Sequence, residues 1–169
     1  MRAFSRIYDG LFGALGVVSA LLIGAVAVGI TYDVLGRNIG FGTVSWMLEA
    51  CEYAIFMSTF LGAPWVLRLA AHVRVDVLVQ NLAPRWARAF GLFADVVGAA
   101  TSATLLYYAI VVARGSIRDE ARIIKMFIIP EWWVFAVVAF SAFLLTVEFL
   151  RRLAVALRGG KLESQGLSI

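Results

Sequence analysis

The chain has 169 residues, of which 62% are hydrophobic and 15% charged, against roughly 45–50% and 25% in soluble globular chains. At 18.4 kDa and a mean hydropathy of +0.90, a soluble fold has too little interior to hide that much apolar surface. The net charge is only +4, and an ordinary soluble enzyme, a disordered chain, a nucleic-acid-binding module and a secreted disulfide scaffold are excluded. One cysteine, Cys51, and one histidine, His72, cannot supply an internal disulfide, a paired-histidine haem site or a metal cluster.

Charges punctuate the sequence. Residues 10–32 carry none and as a helix would extend about 33 Å, enough for a ~30 Å hydrocarbon core. Arg2, Arg6 and Ala25-Val26-Ala27 resemble parts of a signal peptide. The apolar run is nevertheless much longer than an h-region of about 7–15 residues, so a retained helix is expected. Within it, Gly16, Ala20 and Gly24 recur every fourth position, and Ala25 and Gly29 repeat the spacing. Such stripes let helices approach closely.

A second span is predicted over about 44–67, with Trp46 at an interface belt. Glu49 and Glu52 near its start share one helix face, and an interfacial or structural role is expected for both. Residues 68–88 form an amphipathic middle segment. Val73, Val75, Val77 and Val79 alternate with other residues, a strand-like period, yet a lone strand at a bilayer surface leaves its backbone unpaired. A short interfacial helix near Val75–Leu82 is the better expectation, with a new helix starting near Pro84 and entering the third span.

The third span is predicted over about 89–113. Asp95 near its start is expected to pair with Arg68, Arg85 or Arg88, and Gly91, Asp95, Ala99 and Ala103 make another stripe at four-residue spacing. The fourth span is predicted over about 126–150, with Glu131 after Pro130 as a capping acid and Glu148, Arg151 and Arg152 at its far end. A polar tail follows over 156–169. The fold class is therefore all-α: an integral membrane domain over 1–155, with four transmembrane helices and interfacial amphipathic helices. With the N-terminus inside, ten of the 15 Lys and Arg residues fall on inner segments, which places both termini in the cytoplasm. Large apolar side chains surround every span, more than four helices can bury among themselves.

No nucleophile–base pair, phosphate loop or metal-ligand spacing appears. No catalytic, cofactor-binding or metal-binding residue is expected. His72 stands between Arg68 and Asp76 at four-residue spacing, so on a helix the three share a face. A hydrogen-bonded interfacial histidine explains it better than a pH sensor or metal ligand.

One ordered set of residues goes further. Arg37 precedes Val44-Ser45-Trp46-Met47-Leu48-Glu49; Phe60-Leu61-Gly62-Ala63, Arg68 and His72-Val73-Arg74-Val75-Asp76 follow, then Ile129-Pro130 before a run of aromatics. Over roughly residues 5–155 this resembles the DctQ-like small membrane subunit of tripartite ATP-independent periplasmic (TRAP) transporters. The basic outer loop and the lack of a second proline after Pro130 depart from that pattern. The resemblance implies a non-catalytic scaffold in the bacterial inner membrane, in contact with lipids and with a large elevator-type permease. The permease would bind sodium and the solute, and a periplasmic substrate-binding protein would deliver an organic anion. It also implies that Trp46 and Glu49 lie near the docking end, with Arg37 capping or pairing nearby and Glu49 as its candidate partner. Gly62, in the mid-helix Gly-Ala pair, would be a structural or interface residue, while Arg68, His72 and Asp76 would fix the middle segment against the bundle. A free-standing small transporter would need a polar path through mid-membrane, and a redox-complex anchor would need ligands beyond one histidine.

Overall fold

In a computed structural model of the chain, residues 2–40, 45–69 and 84–157 are described. The interfacial segment expected near Val75–Leu82, with His72 and Asp76, and the tail beyond residue 157 lie outside them. Four long helices dominate: α1 (Arg2–Ile39), α2 (Ser45–Leu69), α3 (Pro84–Arg118) and α4 (Glu131–Leu157). Each contains a stretch long and apolar enough to cross a membrane, Gly10–Ile39, Ser45–Leu69, Ala89–Arg118 and Glu131–Leu157. The chain is an all-α integral membrane protein.

Between α3 and α4 stands an element that hydropathy does not reveal. Strands β1 (Arg122–Ile124) and β2 (Ile128–Pro130) form an antiparallel hairpin, with Arg122 opposite Pro130, Ile123 opposite Ile129 and Ile124 opposite Ile128. The stretch Met126–Pro130, expected to open the fourth span, is instead the turn and second strand of this hairpin, and α4 begins at Glu131. The β-branched isoleucines on both sides of the turn suit a pleated ladder better than a helix. Local chemistry ends α3 at Arg118. Glu120 takes a left-handed conformation (φ 49°), its N–H reaches the Ile117 carbonyl at 3.4 Å, and the Ala121 N–H reaches the Ser116 carbonyl at 3.0 Å. This paired 5→2 and 6→1 arrangement is a Schellman ending. Gly40 (φ 87°) closes α1 in the usual way, since glycine has no Cβ to clash there.

In space, α1 packs on α2, α2 on α4 and α4 on α3. The helices stand in a row, α1–α2–α4–α3, with α1 and α3 at the edges. The inward faces follow a seven-residue period. On α1 they are Phe12, Ser19, Val26 and Asp33 alternating with Leu15, Leu22, Gly29 and Gly36. On α3 they are Leu92, Ala99, Leu106 and Ala113 alternating with Asp95, Ser102, Ala109 and Ser116. A 3.5-residue repeat gives near-parallel, left-handed packing rather than the steeper crossing of a four-residue stripe. The expected stripes therefore hold only in part. Gly16 faces the Trp65 ring, Gly29 faces Met47 and Gly98 faces the Phe149 ring, whereas Gly24 and Gly91 look into open space. Gly62 meets Ser19 of α1.

Pro64 lies inside α2 and has no N–H for the carbonyl four residues earlier, that of Phe60. In a bilayer such an orphan must find a partner within the protein. Ser141 of α4, wholly buried, donates its hydroxyl to the Phe60 carbonyl. Further along, Thr146 of α4 hydrogen-bonds Ser102 of α3 at 3.1 Å. These contacts set the depth of α4 against both neighbours.

A Cβ at residue 16 would stand 2.7 Å from Trp65. Gly16→Val should therefore lower the thermal unfolding midpoint in mild detergent, by the equivalent of about 1–3 kcal/mol of overpacking. Gly24→Val, on the same sequence stripe, should leave it unchanged.

Candidate functional site

Two clusters of charged groups close the bundle at its ends. At the end carrying the termini, Glu148 of α4 is completely buried. Arg151, three residues on, grips its carboxylate with a fork, Nε to Oε2 at 3.0 Å and Nη2 to Oε1 at 2.8 Å. Arg152 Nε adds a bond to Oε1 at 3.3 Å, and the Tyr8 hydroxyl of α1 donates to Oε2 at 3.0 Å. Arg152 is itself buried and donates onward to the Leu67 carbonyl of α2, one of the last carbonyls of that helix, which have no intrahelical partner. The guanidinium of Arg68 lies 5.2 Å from the ring centres of both Tyr8 and Phe12. One carboxylate thus ties α4 to α1 directly and to α2 through Arg152. Burial and the nearby Glu148 carboxylate push the Tyr8 phenol up to about 12, so it stays a donor.

At the opposite end, Glu49 and Glu52 of α2 both hold the hairpin turn. Glu52 accepts two bonds from Lys125 Nζ, at 2.8 and 2.9 Å. Its hydrogen bond raises the Lys125 pKa above the ordinary lysine value. Glu49 is buried and accepts the Phe127 N–H at 3.1 Å. Its other oxygen and the Tyr53 hydroxyl, one turn further on, are buried without a hydrogen-bond partner among the described residues. Glu131, in the first turn of α4, accepts from the Ser116 hydroxyl of α3 at 2.9 Å, and its N–H bonds the Ala121 carbonyl at 3.0 Å. The expected capping acid is thus also a tie between α3 and α4.

The residues singled out from the sequence separate accordingly. Arg37 pairs with Asp33 on its own helix at 2.8 Å and not with Glu49, because the i,i+4 partner lies on the same face. Trp46 is half-exposed in the first turn of α2. Arg68 stacks on α1. Asp95 lies half-buried on α3. Sequence reading missed Tyr8, Glu148 and Lys125 as interaction partners. The spacing of Glu148, Arg151 and Arg152 at i, i+3 and i+4 was the available signal for the first cluster. Nothing local marks Lys125, whose partner lies 73 residues away.

A lateral groove of about 520 Å³ opens between α1, α2 and α4, lined by Gly16, Ser19, Gly62, Trp65 and Phe149 among others. Its walls are almost wholly apolar. No group of three or more His, Cys, Asp or Glu able to hold a metal occurs among the described residues. Just 11% of the most apolar stretch of α3, and no more than 33% of that of α4, is buried within the chain. Most of each span is surface for lipid or protein.

Four membrane helices, with tying charges at both ends and broad apolar flanks, define a multi-pass membrane subunit. The sequence model of the family described as tripartite ATP-independent periplasmic transporters, DctQ component, matches residues 26–159. The chain belongs to this family: it is a non-enzymatic component of a TRAP transporter, a complex with further components. Comparison with curated proteins finds no match to the chain.

Removing Glu148 leaves the buried Arg152 without its counter-charge. Glu148→Ala should destabilise the fold by about 3–5 kcal/mol, read as a large drop in unfolding midpoint and folded yield. At the other end, Glu49→Ala removes the acceptor of the Phe127 amide. Hydrogen exchange at that amide should accelerate, while Lys125→Ala, which breaks an exposed pair screened by solvent, should change global stability little.

Proposed function

We propose that this chain is the fixed scaffold of a sodium-coupled importer of organic anions in the bacterial inner membrane. It pairs with a large elevator-type permease that binds the sodium ions and the solute, and a periplasmic protein delivers that solute. Both termini face the cytoplasm, so the hairpin lies on the periplasmic side near the docking protein. The observation that carries this reading is the combination of family membership with helices whose apolar stretches are mostly unburied within the chain. That unburied apolar surface can lie along a second membrane protein. The ties at the two ends hold the helices against each other, as a static support for a moving neighbour requires.

Gentle extraction of the tagged chain from native membranes should bring down a large polytopic permease in fixed stoichiometry, identified by mass spectrometry. Recovery of the chain alone, or with redox subunits, overturns the reading. Asp76→Ala should reduce the yield of the complex several-fold while leaving solute affinity unchanged. Altered affinity at unchanged yield would rule out a structural role for Asp76.

A further inference from the structure

The hairpin Arg122–Pro130 turns back along α2 instead of projecting beyond its end. Lys125 meets Glu52 and the Phe127 N–H meets Glu49, which sets the turn beside the second turn of α2, roughly 6–10 Å along the helix from Ser45. Phe127 and Ile129 also line an apolar pocket of about 230 Å³ with Tyr53, Trp133 and Val137. The turn therefore lies level with the opening turns of both membrane-spanning helices.

The two faces of the hairpin differ. Side chains alternate along a strand, so Ile123 and Ile129 share one face and are partly covered. Ile124 and Ile128, cross-strand partners, share the other and are 79% and 65% exposed, with Met126 at the turn 62% exposed. Arg122 stands on this outer face two residues above Ile124, about 7 Å along the strand. It is exposed and makes no hydrogen bond or ion pair among the described residues. Trp133, 52% exposed at the start of α4, adds the amphipathic ring typical of the headgroup level. An apolar tip at this depth, with a cation one headgroup length above it, has the dimensions of an element lying in the headgroup–acyl boundary.

We propose that the hairpin is an interfacial lipid anchor: Ile124, Met126 and Ile128 enter the acyl boundary of the adjacent leaflet, and Arg122 meets the phospholipid phosphates above them. The clasp from Glu49 and Glu52 holds the tip at that depth. The soluble-loop alternative would leave three adjacent large apolar side chains in water beside a membrane.

The test places a fluorophore at Met126→Cys, at Ile124→Cys and, as a water-side control, at Asp119→Cys, each in a Cys51→Ser background. The full-length chain, with the subunits that co-purify, is reconstituted in vesicles of phosphatidylethanolamine and phosphatidylglycerol. Quenching by a lipid carrying a nitroxide near the top of its acyl chain is compared with quenching by aqueous iodide. At positions 124 and 126 the lipid nitroxide should quench several-fold more than iodide, and at position 119 the order should reverse. Stronger iodide quenching at both hairpin positions overturns the proposal and leaves the face to a soluble partner. Protection from both quenchers overturns it equally, because another subunit then covers the tip.

Discussion

A polar group inside a bilayer has no water to turn to, and the buried carboxylate of Glu148 shows how this chain meets that constraint. Its two oxygens take four hydrogen bonds from Tyr8, Arg151 and Arg152. Those donors come from α1 and α4, and Arg152 passes the link to the end of α2. An isolated charge there would cost far more than such a helix row could tolerate. Satisfied in this way, it becomes the fastener of three helices. Arg68 over the Tyr8 and Phe12 rings closes the same end with cation–π contacts, which strengthen when water is scarce.

The same accounting explains the middle of the row and its far end. Pro64 removes one backbone donor from α2, and the carbonyl it would have occupied is taken by Ser141 of α4. The proline thereby fixes where α4 crosses α2. At the hairpin end, Glu49 accepts a backbone N–H from the turn and Glu52 accepts the Lys125 ammonium. At each of these three levels the helices are tied by polar, directional hydrogen bonds, while the contacts between the levels follow a heptad of mostly small or medium residues. Dispersion and close approach hold the helices together, and the hydrogen bonds choose their depth.

A row with two edges has functional consequences that a closed bundle lacks. It buries little of its own apolar surface, especially along α3, and so presents broad apolar flanks to its surroundings. Broad apolar sides are what the proposed support role requires. The buried ties at both ends resist sliding of one helix past another.

Composition and the spacing of charges were enough to determine four membrane helices, since only lipid can cover 62% hydrophobic residues and each apolar run has the length of a bilayer. The ordered residues around Trp46, Glu49, Gly62 and Arg68 were enough to indicate the family. Other features depended on neighbours remote in sequence. Whether Gly16 or Gly24 met another helix turned on a 3.5-residue packing period that a four-residue stripe of small residues imitates. The hairpin was hidden because its isoleucines raise hydropathy as a helix would, and only the cross-strand pairing and the Glu49–Phe127 bond tell the two apart. Arg37 chose Asp33, four residues away, over Glu49. Glu148 looked like the polar end of a span until Tyr8, 140 residues earlier, proved to be its partner. Hydrophobicity and local spacing act within one helix and can be read along the chain; the pairing of buried charges is decided between helices, where only the tertiary structure brings the donors to the acceptor.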